Sequence, residues 1–571
     1  MNDLVQRPDS VHPCTVGELV PGDVLLTGPG HRFAVIDSAP GDEENVQLTL
    51  RALHGGPDFP SWRRRCEPVL VLMRRVDPAG IPLIHPTPPG TDFADGDLVS
   101  VLYATRDTPD SERYERRAGV WRGADGRVLD DAGMRRLMAG DPRTVVCRLE
   151  RPVGARPRRR VVVTGVGAIS PLGGDAASTW AGLLAGASGA RKLGGEEFRD
   201  LPVKVAAPAA VEPGEQLPRA QARTMNRSTQ FAVLTARQAW ADAGLDAGGA
   251  EAGRTGVSVG TIIGGAPLMV TGDRTLQDKG ARYVSPHTAP MLVPSASAAH
   301  IAIDLGARGE ARTVVSACAS GTEAIGQAID RIRDGHVDVV VAGGTEAVIT
   351  PVIMAGFASM RALSPGADGP ENASRPFDRD RDGFVLGEGA GFLVLEDEEH
   401  ALARGARIYC EAAGWGVSSD AHHMTAPDPA GTGITEALRK ALDSAGAEPG
   451  DVIHVNAHAT ATPAGDLAEA AALRTVFGEE AAGTIPVTAP KGALGHLQGA
   501  AGGVEAVATV LALHHGVVPP TVGLREPAEG LGLDVVTGAP RALGEGGGVA
   551  LSNSFGFGGH NAVVAFRREA A

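Results

Sequence analysis

A strand, a sharp turn and a helix follow one another between Arg312 and Asp334, and this stretch constrains the fold more than any other. Thr313–Val315 is a short apolar, β-branched run, which is typical of a buried strand. Beyond the turn, apolar residues recur three and four positions apart, as on one face of a helix: Ala324, Ile325, Ala328, Ile329 and Ile332. The stretch therefore predicts a strand that leads directly into an amphipathic helix.

Cys318 lies in the turn between this strand and this helix. The free N–H groups and the dipole at a helix N-terminus favour negative charge, so we expect the pKa of this thiol to be lowered and its thiolate to act as a nucleophile. The alternative is a small buried residue that packs much as alanine does. The stretch alone leaves both interpretations open.

A second strand–turn–helix–strand pattern covers Thr484 to Pro519 and has the same order and size as the first. Lys491 and His496 stand in its turn, at the place that Cys318 takes in the first copy. A two-fold internal repeat would bring the two turns together. The sequence therefore predicts a cluster that contains a cysteine, a histidine and a lysine.

Two further segments place chemically capable residues at the ends of strands. His458 follows the apolar strand of DVIHVNAHA, and a lone histidine there is more often structural than catalytic. Near the C-terminus, glycines at 556, 558 and 559 surround Phe557 between two apolar strands. So many glycines allow a backbone to approach a substrate closely and to present its N–H groups.

The order of predicted elements indicates an α/β fold with an additional N-terminal part. Short strands separated by Pro-Gly, Asp-Gly and Gly-Gly turns predict one or two small β-rich modules of unknown function over residues 1–150. A proline- and arginine-rich segment, 151–160, is interpreted as a linker. Strands and helices then alternate, which predicts a layered sheet with helices on both faces, in two halves at 161–410 and 411–571.

Composition excludes several classes of function. The net charge of −15 argues against nonspecific nucleic-acid binding. No apolar run approaches the roughly 20 residues of a membrane span, and we see no signal peptide, so a cytoplasmic protein is expected. The five cysteines are scattered and form no CxxC pair, so neither a disulfide framework nor a metal site is expected. GVGAIS lacks the third glycine of a dinucleotide-binding motif.

Seven motifs in a fixed order together resemble the β-ketoacyl-acyl-carrier-protein synthases of the thiolase superfamily, and most of all the elongating synthase II type. They are SACASG, VDVVVAGGTEA, SRPFDRDRDGFVLGEGAGFLVLE, SSDAHHMTAPDP, NAHATATPAGDLAEA, APKGALGHLQGAAGGVE and SNSFGFGGHN. The resemblance extends over about residues 161–566. It implies the thiolase fold, with two pseudo-repeated βαβαβαββ halves in αβαβα layers, preceded here by the β-rich region.

The resemblance also implies roles for individual residues. Cys318 corresponds to the nucleophile that accepts the acyl group, and four further positions match the family's catalytic residues: His458, His496, Lys491 and Glu505. The backbone N–H groups of Cys318 and Phe557 are then expected to form an oxyanion hole.

Outside this catalytic group, Phe557 matches the family's gate to the acyl pocket, and Thr460 and Thr462 match threonines that bind the phosphopantetheine arm. Arg223 matches a basic position for carrier-protein docking, although a solvated helix face is an equally simple interpretation. The family's usual glycine and threonine are replaced by Ala459 and His560, which leaves substrate preference open.

The implied activity is decarboxylative Claisen condensation of an acyl group on Cys318 with malonyl-acyl-carrier protein, in fatty-acid or polyketide elongation. No bound cofactor is implied, because the phosphopantetheine arrives on the acyl carrier protein. A homodimer or a heterodimer with a related subunit is expected. Two alternatives remain: a type II polyketide ketosynthase with a cysteine-free partner, and a non-elongating partner or binding protein. The presence of Cys318 argues against the last of these.

Overall fold

The chain divides into two compact units, Met1–Pro157 and Arg158–Ala571. The computed structural model describes residues 159–245 and 249–569, and in the first 150 residues it describes only the backbone of individual strands. Residues 151–158, most of the expected linker, lie outside the described residues. The expected boundaries of the linker and of the two halves therefore stay predictions.

The described strands of the first unit form two antiparallel sheets. In spatial order, the six-stranded sheet contains His12–Thr15, Pro68–Met73, Val24–Gly28, His31–Pro40, Asn45–Ala52 and Phe59–Arg64. The five-stranded sheet contains Val128–Leu129, Val120–Gly123, Ser111–Arg117, Leu98–Tyr103 and Val145–Glu150. The assignment of residues 1–150 to one or two β-rich modules stays a prediction.

A mixed sheet of eleven strands organises the second unit. In chain order its strands are β1 (Val161–Ile169), β2 (Thr255–Gly260), β3 (Glu310–Val314), β4 (Val339–Glu346), β5 (Gly389–Asp397), β6 (Cys410–Ser419), β7 (Val452–Asn456), β8 (Pro486–Thr488), β9 (Asp534–Val535), β10 (Gly548–Gly556) and β11 (His560–Arg568). Across the sheet the order is β3-β2-β4-β5-β1-β6-β11-β10-β7-β8-β9.

The two sides of this sheet repeat one topology. β3, β2 and β4 are parallel and are followed by antiparallel β5 and β1. On the other side β8, β7 and β10 are parallel and are followed by antiparallel β11 and β6. The sides meet where β1 pairs antiparallel with β6, at Val162–Glu411 and Val163–Cys410. The expected two-fold repeat of a thiolase fold is therefore confirmed.

Helices complete the layers. The longer ones are α1 (Ala176–Leu184), α2 (Arg227–Asp242), α3 (Pro267–Lys279), α4 (Ala296–Leu305), α5 (Ser320–Arg333), α6 (Pro351–Ser359), α7 (Thr432–Ala445), α8 (Pro463–Phe477) and α9 (Ala501–His515). α5 and α9 contact strands of both halves, whereas α2 packs on β1, β4 and β5 and α7 packs on β6 and β11. This arrangement gives the five αβαβα layers.

The two helices of the central layer, α5 and α9, are extensively buried. In α5 the five apolar residues that define its predicted face are all buried. In α9 every residue from Ala501 to Leu513 is buried, as expected of a helix that is apolar all round. Gly326 of α5 lies against the indole of Trp415 in β6, so closely that a Cβ would stand 2.1 Å from that ring. Close contact here joins the central layer to the second half.

The C-terminal repeat differs from expectation in its last strand. Val517–Val518 does not join the main sheet but pairs with Arg541–Ala542 in a separate ribbon. The strand equivalent to β4 is instead β10, more than 30 residues later in the chain. The composition of the short apolar run after α9 predicts a strand, but it does not indicate which other strand this run pairs with.

Smaller elements surround the main layers. A three-stranded sheet contains Arg191–Lys192, Val205–Ala207 and Leu386–Gly387. Short helices cover Arg219–Ala222, Thr288–Leu292, Glu398–Ala403, Glu479–Ala482 and Lys491–Leu494. Within 159–245 and 249–569, none of the helices combines the length and the apolar character needed to cross a membrane.

Candidate active site

Cys318 lies in a tight turn between β3 and α5 and is 7% exposed. Its neighbour Ala317 has φ of +50°, a left-handed conformation that costs a non-glycine residue free energy. Ser320 stabilises the turn, because its hydroxyl donates to the Ala317 carbonyl at 2.6 Å and accepts from the Ser316 amide at 2.9 Å. The turn therefore holds the thiol in one position, two residues before the helix begins.

His496 is the nearest imidazole to the thiol, with its Nε2 3.0 Å from Cys318 Sγ. Its other ring nitrogen, Nδ1, accepts a hydrogen bond from the backbone N–H of Gln498 at 3.3 Å. In a neutral imidazole whose Nδ1 accepts, the proton is carried on Nε2. His496 is therefore oriented to donate a hydrogen bond into the site.

His458 stands beside His496 and follows β7 in the second half. The two rings are 5.5 Å apart between centroids and nearly perpendicular, at 87°. Glu469 of α8 fixes the backbone at this point, because its carboxylate accepts from the N–H groups of His458 at 2.9 Å and Ala459 at 2.8 Å. Asn553 donates to the same carboxylate at 3.0 Å.

Lys491 and Glu505 form a buried ion pair behind the histidines. Lys491 Nζ lies 2.5 Å from Glu505 Oε1, and each residue is 1% exposed. A buried charge needs such a partner, because desolvation alone would cost several kcal/mol per ion. The pair therefore keeps a positive charge close to the two imidazoles.

The charges of these groups follow mainly from burial. Burial, with the Lys491 charge as the second cause, holds the pKa of both His458 and His496 well below the usual range, so both rings are neutral. Burial also raises the pKa of Glu505 to about 7, against the opposing effect of Lys491. Neutral imidazoles serve as hydrogen-bond donors rather than as cations.

Burial raises the pKa of the Cys318 thiol to about 11. Lys491 and the backbone N–H groups of Phe557 and Cys318 oppose this rise but do not cancel it. The expectation that the helix N-terminus lowers this pKa was therefore wrong, because removal of the thiolate from water outweighs the favourable dipoles. The N–H groups that act on the sulfur belong to the two residues expected to form the oxyanion hole.

A cavity of about 360 Å³ connects Cys318, His458 and His496, and all three line it. Thr460, Thr462 and Phe557 line it as well. The two threonine hydroxyls are 3.0 Å apart, and the Phe557 ring lies 6.5 Å from that of Phe357 between centroids. Of the expected site residues, these six therefore face one space, and Lys491 and Glu505 support it from behind.

A second cavity of about 250 Å³ shares part of its wall with the first. Phe357, Met360 and Gln498 line both cavities. The other residues of the second cavity are aliphatic or glycine: Ile262, Ile263, Val348, Val352, Ile353 and Gly356. This space is suited to a hydrocarbon chain.

The remaining expected positions lie at the edge of the site or outside it. Arg223 is exposed, directly after the short helix Arg219–Ala222, and lines neither cavity. Ala459 is buried and contributes its backbone N–H to Glu469. His560 is exposed at the start of β11. Among the described residues, no group of three or more His, Cys, Asp or Glu side chains can hold a metal ion.

Two residues of the site were missed by sequence reasoning. Glu469 lies inside the motif NAHATATPAGDLAEA, on the same side of α8 as Asp466, but nothing in that motif shows which carboxylate turns back toward His458. Gln498 lies two residues after His496 and contacts the thiol. Its proximity to His496 in the chain was the available signal.

Comparisons with known proteins agree with this geometry. Models of the N-terminal and C-terminal domains of beta-ketoacyl synthases match residues 158–401 and 409–525. A 3-oxoacyl-[acyl-carrier-protein] synthase 2 of Staphylococcus aureus is 44% identical over 413 residues, which cover 72% of this chain and 98% of that protein.

Two solved structures have the same fold. The ishigamide ketosynthase/chain length factor is 37% identical with a TM-score of 0.65, and the match covers 72% of this chain and 99% of the other. A type II ketosynthase, in complex with its acyl-carrier protein and bound to the hexaketide, is 30% identical, with the same TM-score and coverage. The chain therefore belongs to the beta-ketoacyl synthase family of condensing enzymes.

Proposed function

We propose that the chain elongates a carrier-bound acyl chain by decarboxylative Claisen condensation, with Cys318 as the acyl acceptor. The observation that carries the proposal is the convergence, in one cavity, of the Cys318 thiol, His496 Nε2 at 3.0 Å and the His458 ring. Covalent catalysis divides a difficult carbon–carbon bond formation into two easier steps.

In the first step Cys318 Sγ attacks the carbonyl carbon of an acyl thioester. The sulfur of the pantetheine arm leaves and takes up the proton that the Cys318 thiol loses. Charge develops on the carbonyl oxygen, and the backbone N–H groups of Cys318 and Phe557 are the donors for it. Removal of one such donor typically costs about 10²–10³ in rate.

In the second step a malonyl thioester loses CO2, and negative charge develops on its thioester oxygen. The neutral imidazoles of His458 and His496, both buried, stabilise this enolate as hydrogen-bond donors. The enolate carbon then attacks the acyl carbonyl on Cys318 and forms the new bond. The Cys318 thiolate leaves and regains a proton from solvent, which restores the resting enzyme.

The carrier protein supplies the phosphopantetheine arm, so we propose that the enzyme needs no bound cofactor of its own. Thr460 and Thr462 bind that arm in the first cavity, Phe557 gates the entry of the acyl chain, and Arg223 contributes to docking of the acidic carrier protein. The related ketosynthase solved with its acyl-carrier protein supports this partner. The aliphatic second cavity receives the acyl chain.

We further propose that the protein is cytoplasmic and forms a homodimer, or a heterodimer with a related subunit. β3 is at the edge of the main sheet, where unpaired backbone groups favour addition of another strand. Val315, which follows β3 directly, is 55% exposed. Fatty-acid and polyketide elongation are both compatible with this site, and a polyketide ketosynthase paired with a cysteine-free subunit is the second candidate function.

Acyl transfer to Cys318 tests the proposal. The protein is incubated with acyl-acyl-carrier protein, and the peptide that contains Cys318 is analysed by mass spectrometry for a thioester. We expect the adduct in the wild type, its loss in Cys318→Ser and its retention in Cys410→Ser, since Cys410 is buried in β6 and lines neither cavity. Absence of the adduct in folded wild-type protein would refute the proposed function.

A further inference from the structure

Gln498 has a side-chain amide that is buried and only half satisfied. The residue is 4% exposed and has φ of +53°, in the left-handed region. Its Oε1 accepts a hydrogen bond from the Cys318 thiol, with 3.7 Å between Oε1 and Sγ, whereas its Nε2 has no hydrogen-bond partner in the protein. Burial of such an amide is unfavourable while its donors stay unpaired. A buried, unpaired donor beside a nucleophile therefore calls for a partner that arrives with the substrate.

The amide lies where an acyl chain on Cys318 would pass from the first cavity into the second. Gln498 lines the first cavity, which contains Cys318, and the second cavity, which is otherwise aliphatic. Of the described residues that line the second cavity, Gln498 alone has a polar side chain. A fully saturated chain that enters here would displace water from the amide and replace none of its hydrogen bonds.

The distance from the sulfur indicates which part of the chain meets the amide. Oε1 is 3.7 Å from Sγ. An extended chain advances about 1.2 Å per bond, so the amide lies beside roughly the first three carbons of an acyl group on that sulfur. The thioester oxygen at the first carbon is already assigned to the N–H groups of Cys318 and Phe557. Of the other two carbons, the third is the one on which a condensation leaves an oxygen, so that oxygen is the group that would meet Gln498.

We propose that Gln498 is a specificity-determining residue that selects acyl chains with an oxygen on the third carbon, as 3-oxo or 3-hydroxy groups, over saturated chains of the same length. This inference rests on the proposed function, because it assumes that Cys318 carries an acyl group. It specifies the chemical class of the acyl group that Cys318 carries. The product of each condensation has such an oxygen, so this preference favours an acyl chain whose β-carbon has not been fully reduced.

The orientation of the amide determines which of the two oxygen groups fits better. While the thiol donates to Oε1, Nε2 is the buried, unpaired donor of the amide, and it would donate to a 3-oxo group. Once the sulfur is acylated it has no proton to donate, and rotation of the amide would present Oε1 to a 3-hydroxyl donor. Both orientations discriminate against a chain without oxygen at this position.

The test compares three carrier-bound six-carbon chains: hexanoyl, 3-oxohexanoyl and 3-hydroxyhexanoyl. The rate of acylation of Cys318 is measured for each by mass spectrometry of the intact full-length protein. In the wild type we expect at least one oxygenated chain to load about tenfold faster than hexanoyl or more. In Gln498→Met, which keeps the length of the side chain and removes its polar atoms, we expect this ratio to fall to about one.

Gln238→Met is the matched control, because this glutamine is hydrogen-bonded to Ala168 and Gly174 and lines neither cavity. Its ratio is expected to stay that of the wild type. Equal or faster loading of hexanoyl by wild-type protein would overturn the inference, and this measurement does not depend on folding of a variant. Loading of none of the three chains would instead refute the proposed function itself.

Discussion

The thiol, two imidazoles and one amide of this site act on one another at short range. Cys318 donates to Gln498 and accepts from His496, and the backbone N–H of Gln498 fixes the tautomer of His496. Two of the residues in these loops, Ala317 and Gln498, have positive φ angles. Backbone strain of this kind persists only where surrounding packing maintains it. The precision of the site is thus maintained by the packed layers around it.

The raised pKa of Cys318 determines how its reactivity depends on pH. Below its pKa of about 11, the thiolate fraction rises tenfold per pH unit, and the alkylation rate rises with it. We expect labelling of Cys318 by iodoacetamide, followed by mass spectrometry in a Cys410→Ser background, to accelerate steadily from pH 7 to pH 9.5. Lys491→Met removes a charge that lowers this pKa and is expected to slow labelling at every pH. A plateau near pH 7 would contradict this expectation.

His458 is expected to act in decarboxylation more than in acyl transfer. It does not contact the sulfur in the way His496 does, although both line the cavity. We expect His458→Ala to lower malonyl decarboxylation by about 10²–10³, the cost of one lost donor, while Cys318 still accepts an acyl group. His454→Gln is the control, because His454 is also buried but bonds to Thr488 and lines neither cavity. Equal loss in both variants would indicate a structural effect.

The residues predicted from sequence are those whose chemistry is evident without their neighbours. Cys318 and His458 have reactive side chains just after strands, His496 lies in the turn of the second repeat, and the repeat indicated that Cys318 and His496 meet. The carboxylate of Glu469 binds the backbone N–H groups of His458 and Ala459, which leave no pattern of side chains in the sequence. Its role therefore depends on how α8 is oriented toward His458. The unpaired amide of Gln498 is defined by its surroundings, and those are set only by tertiary packing.

At the scale of elements, α5 and α9 are the parts on which the site depends. α5 begins two residues after Cys318, and α9 carries Glu505. Both helices contact strands from the two sides of the main sheet. Hydrophobic periodicity predicted α5 correctly, since one of its faces is polar. α9 is buried on all sides and β8 is short, so neither has a clear periodicity, and their positions followed from the repeat and not from their own composition.

Gly326 permits the close approach of α5 to the second half. A Cβ there would overlap the ring of Trp415, which is partly buried and packs against the core, so we expect Gly326→Ala to lower the free energy of unfolding by about 1–3 kcal/mol. Gly356→Ala is the matched control, since it also lies inside a helix but has no atom within 4 Å of the added Cβ. That variant is expected to be stabilised by up to ~1 kcal/mol. Chemical denaturation measures both, and destabilisation of similar size in the two would contradict this account.

At the scale of the whole molecule, catalysis is assigned entirely to the second unit. Each residue of the proposed site, from Arg223 to Phe557, lies within Arg158–Ala571. We therefore expect a protein that starts at Arg158 to stay folded and to load an acyl group on Cys318 at nearly the rate of the full chain. Circular dichroism and the mass-spectrometric loading assay test this. Loss of loading in a folded truncated protein would show that residues 1–157 contribute to catalysis.

The order in which the chain is synthesised has a consequence for its activity in the cell. Cys318 and His496 are 178 residues apart, so at roughly 5–20 residues per second a ribosome adds His496 about 9 to 36 seconds after the cysteine. During that interval α5 lacks α9, its companion in the central layer. A nascent chain therefore contains Cys318 but neither histidine at first, and the proposed site is assembled only after His496 and the helix α9 have been added.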